Sequence, residues 1–165
     1  MLKLKSIKNK VLNKNQVNDI INLKKQEWKY TFNYQKEWIK KFVKKDDIHN
    51  LLFINKKLIG YTLLRKRQLI STLKGKSKKK YYFYFDTLII DKNFRGKKFL
   101  NKLYVNYLMS LNLKIIKKYK YISLLHCKKK LVNFYKKYDW NIVNKKIVIS
   151  DKKKKLNLMI FNKKK

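Results

Sequence analysis

Apolar and basic side chains alternate from the start of the chain, in "LKLKSI" (2–7), which is the period of a β-strand. The period then changes. Val17, Ile20, Ile21, Lys24 and Trp28 fall at helical spacing behind Asn15, whose side chain suits a helix N-cap. A second short helix is predicted over about 34–44, with Trp38 and Phe42 on one face. "NLLFIN" (50–55) and "KLIGYTLLRKRQLI" (57–70) read as two strands joined at Asn55-Lys56 in a hairpin turn. "STLKGKSKKK" (71–80) is polar and aperiodic, and is predicted to be a mobile loop. "YYFYFDTLII" (81–90) is a strand too apolar to be exposed on both faces.

Beyond a short basic stretch, Leu100, Leu103, Tyr107, Leu108, Leu111 and Ile115 repeat at helical spacing. "YISLLHC" (121–127) is the next buried strand, "KKLVNFYKKYDW" (129–140) a short amphipathic helix, and "NIVNKKIVIS" and "LNLMIF" two last strands joined by "DKKKK". The strand–helix–strand unit over 81–127 requires a parallel pair, because such a crossover is long and helical. The expected class is therefore α/β with a mixed sheet. The chain has 165 residues, no internal repeat and no linker-like stretch, which predicts a single domain over 1–165.

Composition alters this picture in one respect. The formal net charge is +37, which suggests a polyanion partner. Alanine and proline are absent, however, and Lys, Asn, Ile, Tyr and Phe are all frequent, as AT-rich codon usage produces. Arginine, the preferred fork for phosphate and base contacts, occurs only at Arg65, Arg67 and Arg95. Binding of nucleic acid is therefore expected only non-specifically, through charge. Cys127 alone allows no internal disulfide, and with His49 and His126 it makes no spaced metal set. No apolar run reaches membrane-spanning length, and the N-terminus lacks the continuous apolar stretch of a signal peptide. These points lead to the expectation of a cytoplasmic protein without metal.

The stretch "DKNFRGKKFLNKL" (91–103) carries the chemistry. A loop of backbone N–H groups entering a helix is an anion site, because the unpaired donors and the dipole point the same way. Gly96 leaves room there, Lys97 and Lys98 add charge, and Arg95 can fork onto a phosphate, so a pyrophosphate is the natural guest. With the strand before it and "YISLLHCKKKLVNFYKKYDW" after it, the stretch resembles the GNAT superfamily, the GCN5-related N-acetyltransferases. That family's acetyl-CoA signature is Q/R-x-x-G-x-G/A. Here the six positions read Arg95, Gly96, Lys97, Lys98, Phe99 and Leu100, with Lys98 and Leu100 where the family has small residues. The family's "FY-x-K-x-G-F/W" ending reads Phe134 to Trp140, with Asp139 in place of the glycine. The resemblance spans about residues 50–143.

The resemblance implies a mostly antiparallel central sheet with one parallel pair splayed at a cofactor slot, and helices on both faces. It implies acetyl-CoA as co-substrate. The six signature positions would hold its pyrophosphate, the backbone of Leu88, Ile89 and Ile90 its pantetheine arm, and Asn133 would touch it. Acetyl transfer also needs a proton acceptor for the amine and a donor for the leaving thiolate. Asp86 interrupts an apolar strand four residues before Ile90, so strict alternation puts both on one face. A carboxylate in such surroundings has its charged form disfavoured, which suits a base or an amine anchor. Tyr135 is the implied acid for the sulfur. Cys127 reads as a buried small hydrophobe and His126 as structural.

The acceptor would be bounded by 28–48, by 71–80 and by the last two strands. So basic a surface disfavours a cationic protein tail, and a small-molecule primary amine such as an amino sugar fits better. Homodimerisation is compatible with all of this. Two rivals stand beside the enzyme: a basic nucleic-acid-binding module, and a GNAT scaffold that has lost catalysis through Lys98 and Leu100.

Overall fold

The structure, a computed structural model, describes residues 1–73, 76–95, 98–143 and 156–162. Its centre is a seven-stranded sheet. The strands are β1 (Leu2–Lys8), β2 (Ile48–Ile54), β3 (Lys57–Leu73), β4 (Lys76–Ile90), β5 (Ile122–Cys127), β6 (Asn141–Ile142) and β7 (Asn157–Phe161). Their spatial order is β1-β2-β3-β4-β5-β7-β6, and β4–β5 is the one parallel pair among the described strands. The helices are α1 (Lys14–Lys25), α2 (Phe32–Phe42), α3 (Lys98–Tyr119) and α4 (Val132–Lys136).

Local signals account for the boundaries. The α1 cap is Asn13 and not Asn15: Asn13 accepts from the Gln16 N–H, and the Gln16 side chain accepts from the Asn13 N–H. That reciprocal pair satisfies two orphan donors, which Asn15 inside the first turn cannot do. Thr31 caps α2 by accepting from the Tyr34 N–H. Asn55 and Lys56 form the predicted turn, with φ 47° and 68°, the left-handed pair that a two-residue hairpin needs.

The stretch 71–80 is not a loop. Most of it belongs to β3 and β4, which stay paired out to Leu73↔Lys76, leaving only residues 74 and 75 outside the described part. A ladder already in register from Gly60↔Ile90 extends by one pair per step, so polar residues follow it without an apolar pattern of their own. At the other end of the chain, β6 is two residues long, and residues 144–155 lie outside the described part.

Helices cover both faces. Ile20, Ile21 and Leu23 of α1 and Ile39 of α2 pack on Leu51, Tyr61, Leu63 and Ile89. On the opposite face, Met109 and Ile116 of α3 and Val132 and Tyr135 of α4 pack on Leu64, Phe83, Phe85 and Leu125. Each such side chain removed from water contributes about 1.5–3 kcal/mol. Beside this second layer, Leu108 and Tyr104 of α3 close on Leu52, Ile59 and Ile90.

Two irregularities interrupt the sheet at its centre. First, β4 and β5 pair only from Tyr82↔Ile122 to Tyr84↔Leu124; beyond that β4 continues to Ile90 beside β3 alone, and β5 continues beside β7. The expected splay is there. Second, Leu63 faces Thr87 but Leu64 faces Phe85, so Asp86 is the extra residue of a β-bulge.

Candidate active site

The bulge corrects one expectation from the sequence. Asp86 and Ile90 do not share a face. Ile90 packs under α3, whereas Asp86 and Thr87 open onto a cleft of about 270 Å³ beneath α1 and α2. An inserted residue shifts the alternation by one, which no count along the strand could foresee. Nor are the surroundings of Asp86 purely apolar. Arg65 donates to its Oδ2 at 2.7 Å, and the Thr87 hydroxyl donates to its Oδ1 at 3.3 Å.

The cleft walls are aromatic. Trp28, Trp38, Tyr30 and Tyr34 line it, the two tyrosines stacked with centroids 4.8 Å apart. Two polar residues complete it. Lys24 is 7% exposed and Gln35 is 3% exposed. The Lys24 ammonium lies 4.5 Å from the Trp38 ring centroid. Burial pushes the Lys24 amine below its usual range, opposed by Asp86 and assisted by Arg65. At the edge of the gap, the Tyr84 hydroxyl and His126 Nδ1 are 3.1 Å apart. Burial, with help from Asp86, holds the Tyr84 phenol up to about 12, and burial lowers His126. Lys24, Arg65, Tyr84 and the aromatic walls were not singled out as site residues from the sequence. Helical spacing marks Lys24 and Trp38 only as a buried face.

On the α3–α4 side of the gap stands Tyr135, 8% exposed, edge-on to Phe85 and Trp140. Burial pushes its phenol up, so it stays protonated at neutral pH. The Trp140 indole N–H beside it is buried and has no hydrogen-bond partner among the described residues. Asp139 has φ 62°, which explains why a glycine is usual there. Cys127 is buried, and its thiol donates to Met159 Sδ at 3.6 Å. Asn133 is exposed on α4.

The basic corner is clamped to the end of α1. The Lys92 N–H donates to Gln26 Oε1 at 2.9 Å, the Gln26 amide donates to Asp91 at 3.3 Å, and Asp91 caps the turn by accepting from the Asn93 N–H. Arg95 takes part in this clamp: its Nε donates to the Ile90 carbonyl at 2.6 Å and its Nη1 to Glu27 at 2.6 Å. Its Nε and Nη1 are therefore engaged by protein. Gly96 and Lys97 lie outside the described residues, as do the side chains of Lys98 and Phe99. Leu100 packs against the Leu52, Ile59 and Leu108 group, under the helix mouth. Leu88 faces the same layer, Ile89 packs beneath α1, and the β5-side edge of this segment has no partner strand among the described residues. The described residues contain no cluster of His, Cys, Asp and Glu suited to a metal, and no helix long and apolar enough to cross a membrane.

No protein-family model matches the chain, and no curated protein matches it. Solved structures do. ElaA of Escherichia coli aligns at TM-score 0.65 and 14% identity, covering 97% of this chain and 98% of that one. An acyl-CoA N-acyltransferase from Pseudomonas aeruginosa aligns at TM-score 0.65 and 12% identity, covering 97% of both chains. Naa50 of Arabidopsis thaliana, in complex with the bisubstrate analogue CoA-Ac-MVNAL, aligns at TM-score 0.60 and 15% identity, again over 97% of both. The chain has the GNAT fold.

Proposed function

We propose that the protein transfers the acetyl group of acetyl-CoA to a primary amine of a small molecule. The observation that carries this reading is the gap between β4 and β5. Pairing stops at Tyr84↔Leu124, and the free edge beyond it runs to Ile90, just before the corner that leads into α3. An extended pantetheine arm suits such an edge, since it pairs with strand amides as another strand would. The aromatic cleft opens on one side of the gap and Tyr135 stands on the other, so acceptor and leaving group have separate places.

In the reaction, the neutral amine attacks the thioester carbonyl. The C–N bond forms, the C–S bond breaks, the nitrogen gives up a proton and the sulfur gains one. Asp86 serves the amine as anchor or base from the cleft. Tyr135 donates to the sulfur. The backbone groups of Leu88 to Ile90 that face the gap align the arm, the corner from Arg95 to Leu100 receives the diphosphate, and Asn133 contacts the cofactor. Lys98 and Leu100 do not count against this, because backbone amides do the binding and the Leu100 side chain packs under the helix mouth. Holding the two substrates together supplies much of the rate, on the order of several kcal/mol of barrier.

The test is direct. Calorimetry should register a saturable heat with acetyl-CoA, and a screen over amine classes should give turnover. Asp86→Asn and Tyr135→Phe should each lower kcat by about 10²–10⁴-fold with cofactor affinity nearly unchanged. No heat at millimolar acetyl-CoA rejects the reading. Binding without turnover on any amine points instead to a scaffold that has lost catalysis.

A further inference from the structure

The cleft under α1 and α2 is lined by two polar head groups for which the described residues offer no hydrogen-bond partner. Lys24 and Gln35 are both more than nine-tenths buried and both line the cleft. Neither side chain makes a hydrogen bond to a described residue. Each residue is buried as a whole, but its polar atoms are not among the buried unpartnered ones, so its polar end opens onto the cavity and is free to meet a ligand there. The charges nearby narrow the choice. Arg65 and Asp86 pair with one another at 2.7 Å, which leaves the Lys24 ammonium, over the Trp38 ring at 4.5 Å, without a carboxylate of its own. The aromatic rings of Trp28, Trp38, Tyr30 and Tyr34 line the rest of the cleft.

We propose that this cleft takes an acceptor amine that also bears a carboxylate on an apolar or aromatic body, an amino acid in chemical class. Lys24 and Gln35 hold the carboxylate, the aromatic walls hold the body, and the amine lies towards Asp86. The inference rests on the acetyl-transfer reading for its chemistry but not for its binding site. It also fits the chemistry well. An amino acid reacts with its amine neutral, and is then a monoanion, matching a site whose ionised side chains sum to one positive charge. The same positive field disfavours the ammonium form of the acceptor, which eases the deprotonation that attack requires.

The test pairs two ligands that differ by the carboxylate alone, L-phenylalanine and 2-phenylethylamine. Charge-assisted hydrogen bonds differ from neutral contacts by about one to two orders of magnitude in affinity. Tryptophan fluorescence, with Trp28 and Trp38 as reporters, should therefore show L-phenylalanine binding at least tenfold more tightly. Lys24→Met should abolish that preference while leaving 2-phenylethylamine unchanged, and Lys24→Arg should restore part of it. The ratio between ligands within one variant cancels any loss of folded protein. Equal affinity for the two ligands, equal weakening of both by Lys24→Met, or no saturable binding of L-phenylalanine up to ~10 mM overturns the proposal. So does tighter binding of an amine phosphate such as O-phosphoethanolamine. Acetyl transfer is scored separately. If L-phenylalanine binds through Lys24 but is never acetylated, with acetyl-CoA present, the transferase reading falls and the carboxylate site stands. If acetyl-CoA is turned over on other amines and L-phenylalanine is ignored, the reverse holds.

Discussion

Each of the three arginines makes a contact that lysine could not copy. Arg67 forks onto Asp47, at 2.8 and 3.1 Å, and also reaches the Phe42 carbonyl. Asp47 is fully buried and takes further bonds from the Lys44 and Lys66 N–H groups. Arg65 donates to Asp86 with Nη1 and reaches the Phe42 carbonyl of α2 with Nη2 at 3.5 Å, and Arg95 bridges Glu27 and the Ile90 carbonyl. In a chain that uses lysine nearly everywhere else, arginine survives where a planar fork ties β3 or the corner to the α1–α2 layer. Arg67→Lys should therefore cost about 2–4 kcal/mol in urea unfolding, although the charge is kept, because part of a buried carboxylate is left unpaired. His49 makes a second prediction. It is buried between Tyr61 and Asn9, with a pKa lowered to about 4 by burial. The unfolded chain binds its proton near pH 6.5 and the folded chain only near 4. Stability should be fully present above pH 6.5, fall as the pH drops from there towards 4, and lose about 3 kcal/mol over that window. A pH series of urea midpoints checks the slope, and His49→Gln should flatten it.

The joints between elements show what the chain tolerates. Lys56 and Lys120 have φ 68° and 54°, in the hairpin turn and just after α3, where glycine is the usual occupant. Lys56→Gly and Lys120→Gly should each raise stability by about 0.5–1 kcal/mol, since a side chain in the left-handed region carries steric strain. Thermal melts of the two single variants measure this, and an unchanged or lower Tm rejects it. Gly60 behaves in the opposite way. A Cβ there would sit 2.9 Å from Leu108 Cδ1 and 3.0 Å from Ile90 Cδ1, so β3 and α3 approach closely because the side chain is missing. Gly60→Ala should cost about 1–3 kcal/mol by overpacking, with α3 pushed off the sheet. Since α3 follows the corner directly, acetyl-CoA affinity should fall with it.

At the scale of the whole molecule, the net charge of +37 and the gap in the sheet lead to different expectations. If the gap receives acetyl-CoA, ligand at a hundredfold excess over Kd should stabilise the fold by about 2.7 kcal/mol and raise Tm by several degrees. Binding to RNA or DNA should be weak, indifferent to sequence, and gone near physiological salt, because it comes from screened surface lysines. RNA affinity that persists at about 0.5 M salt would instead favour the nucleic-acid module.

Element type and order were readable along the chain, because helical and strand periods are local properties of side-chain burial. So was the corner, whose glycine and basic residues stand between a strand and a helix. Asp86 could be found as the one acid in an apolar strand. Its direction could not, since a single bulge set by β3–β4 register moves it from the α3 side to the cleft. Lys24 and Gln35 looked like ordinary helix residues until α1 and α2 were laid over β4. That the Arg95 guanidinium also reaches Glu27 could be seen only once the end of α1 was folded against the corner. Period and composition are written in neighbouring residues, but a cleft is made by residues far apart in the chain, and its partners, charges and openings exist only once those segments meet.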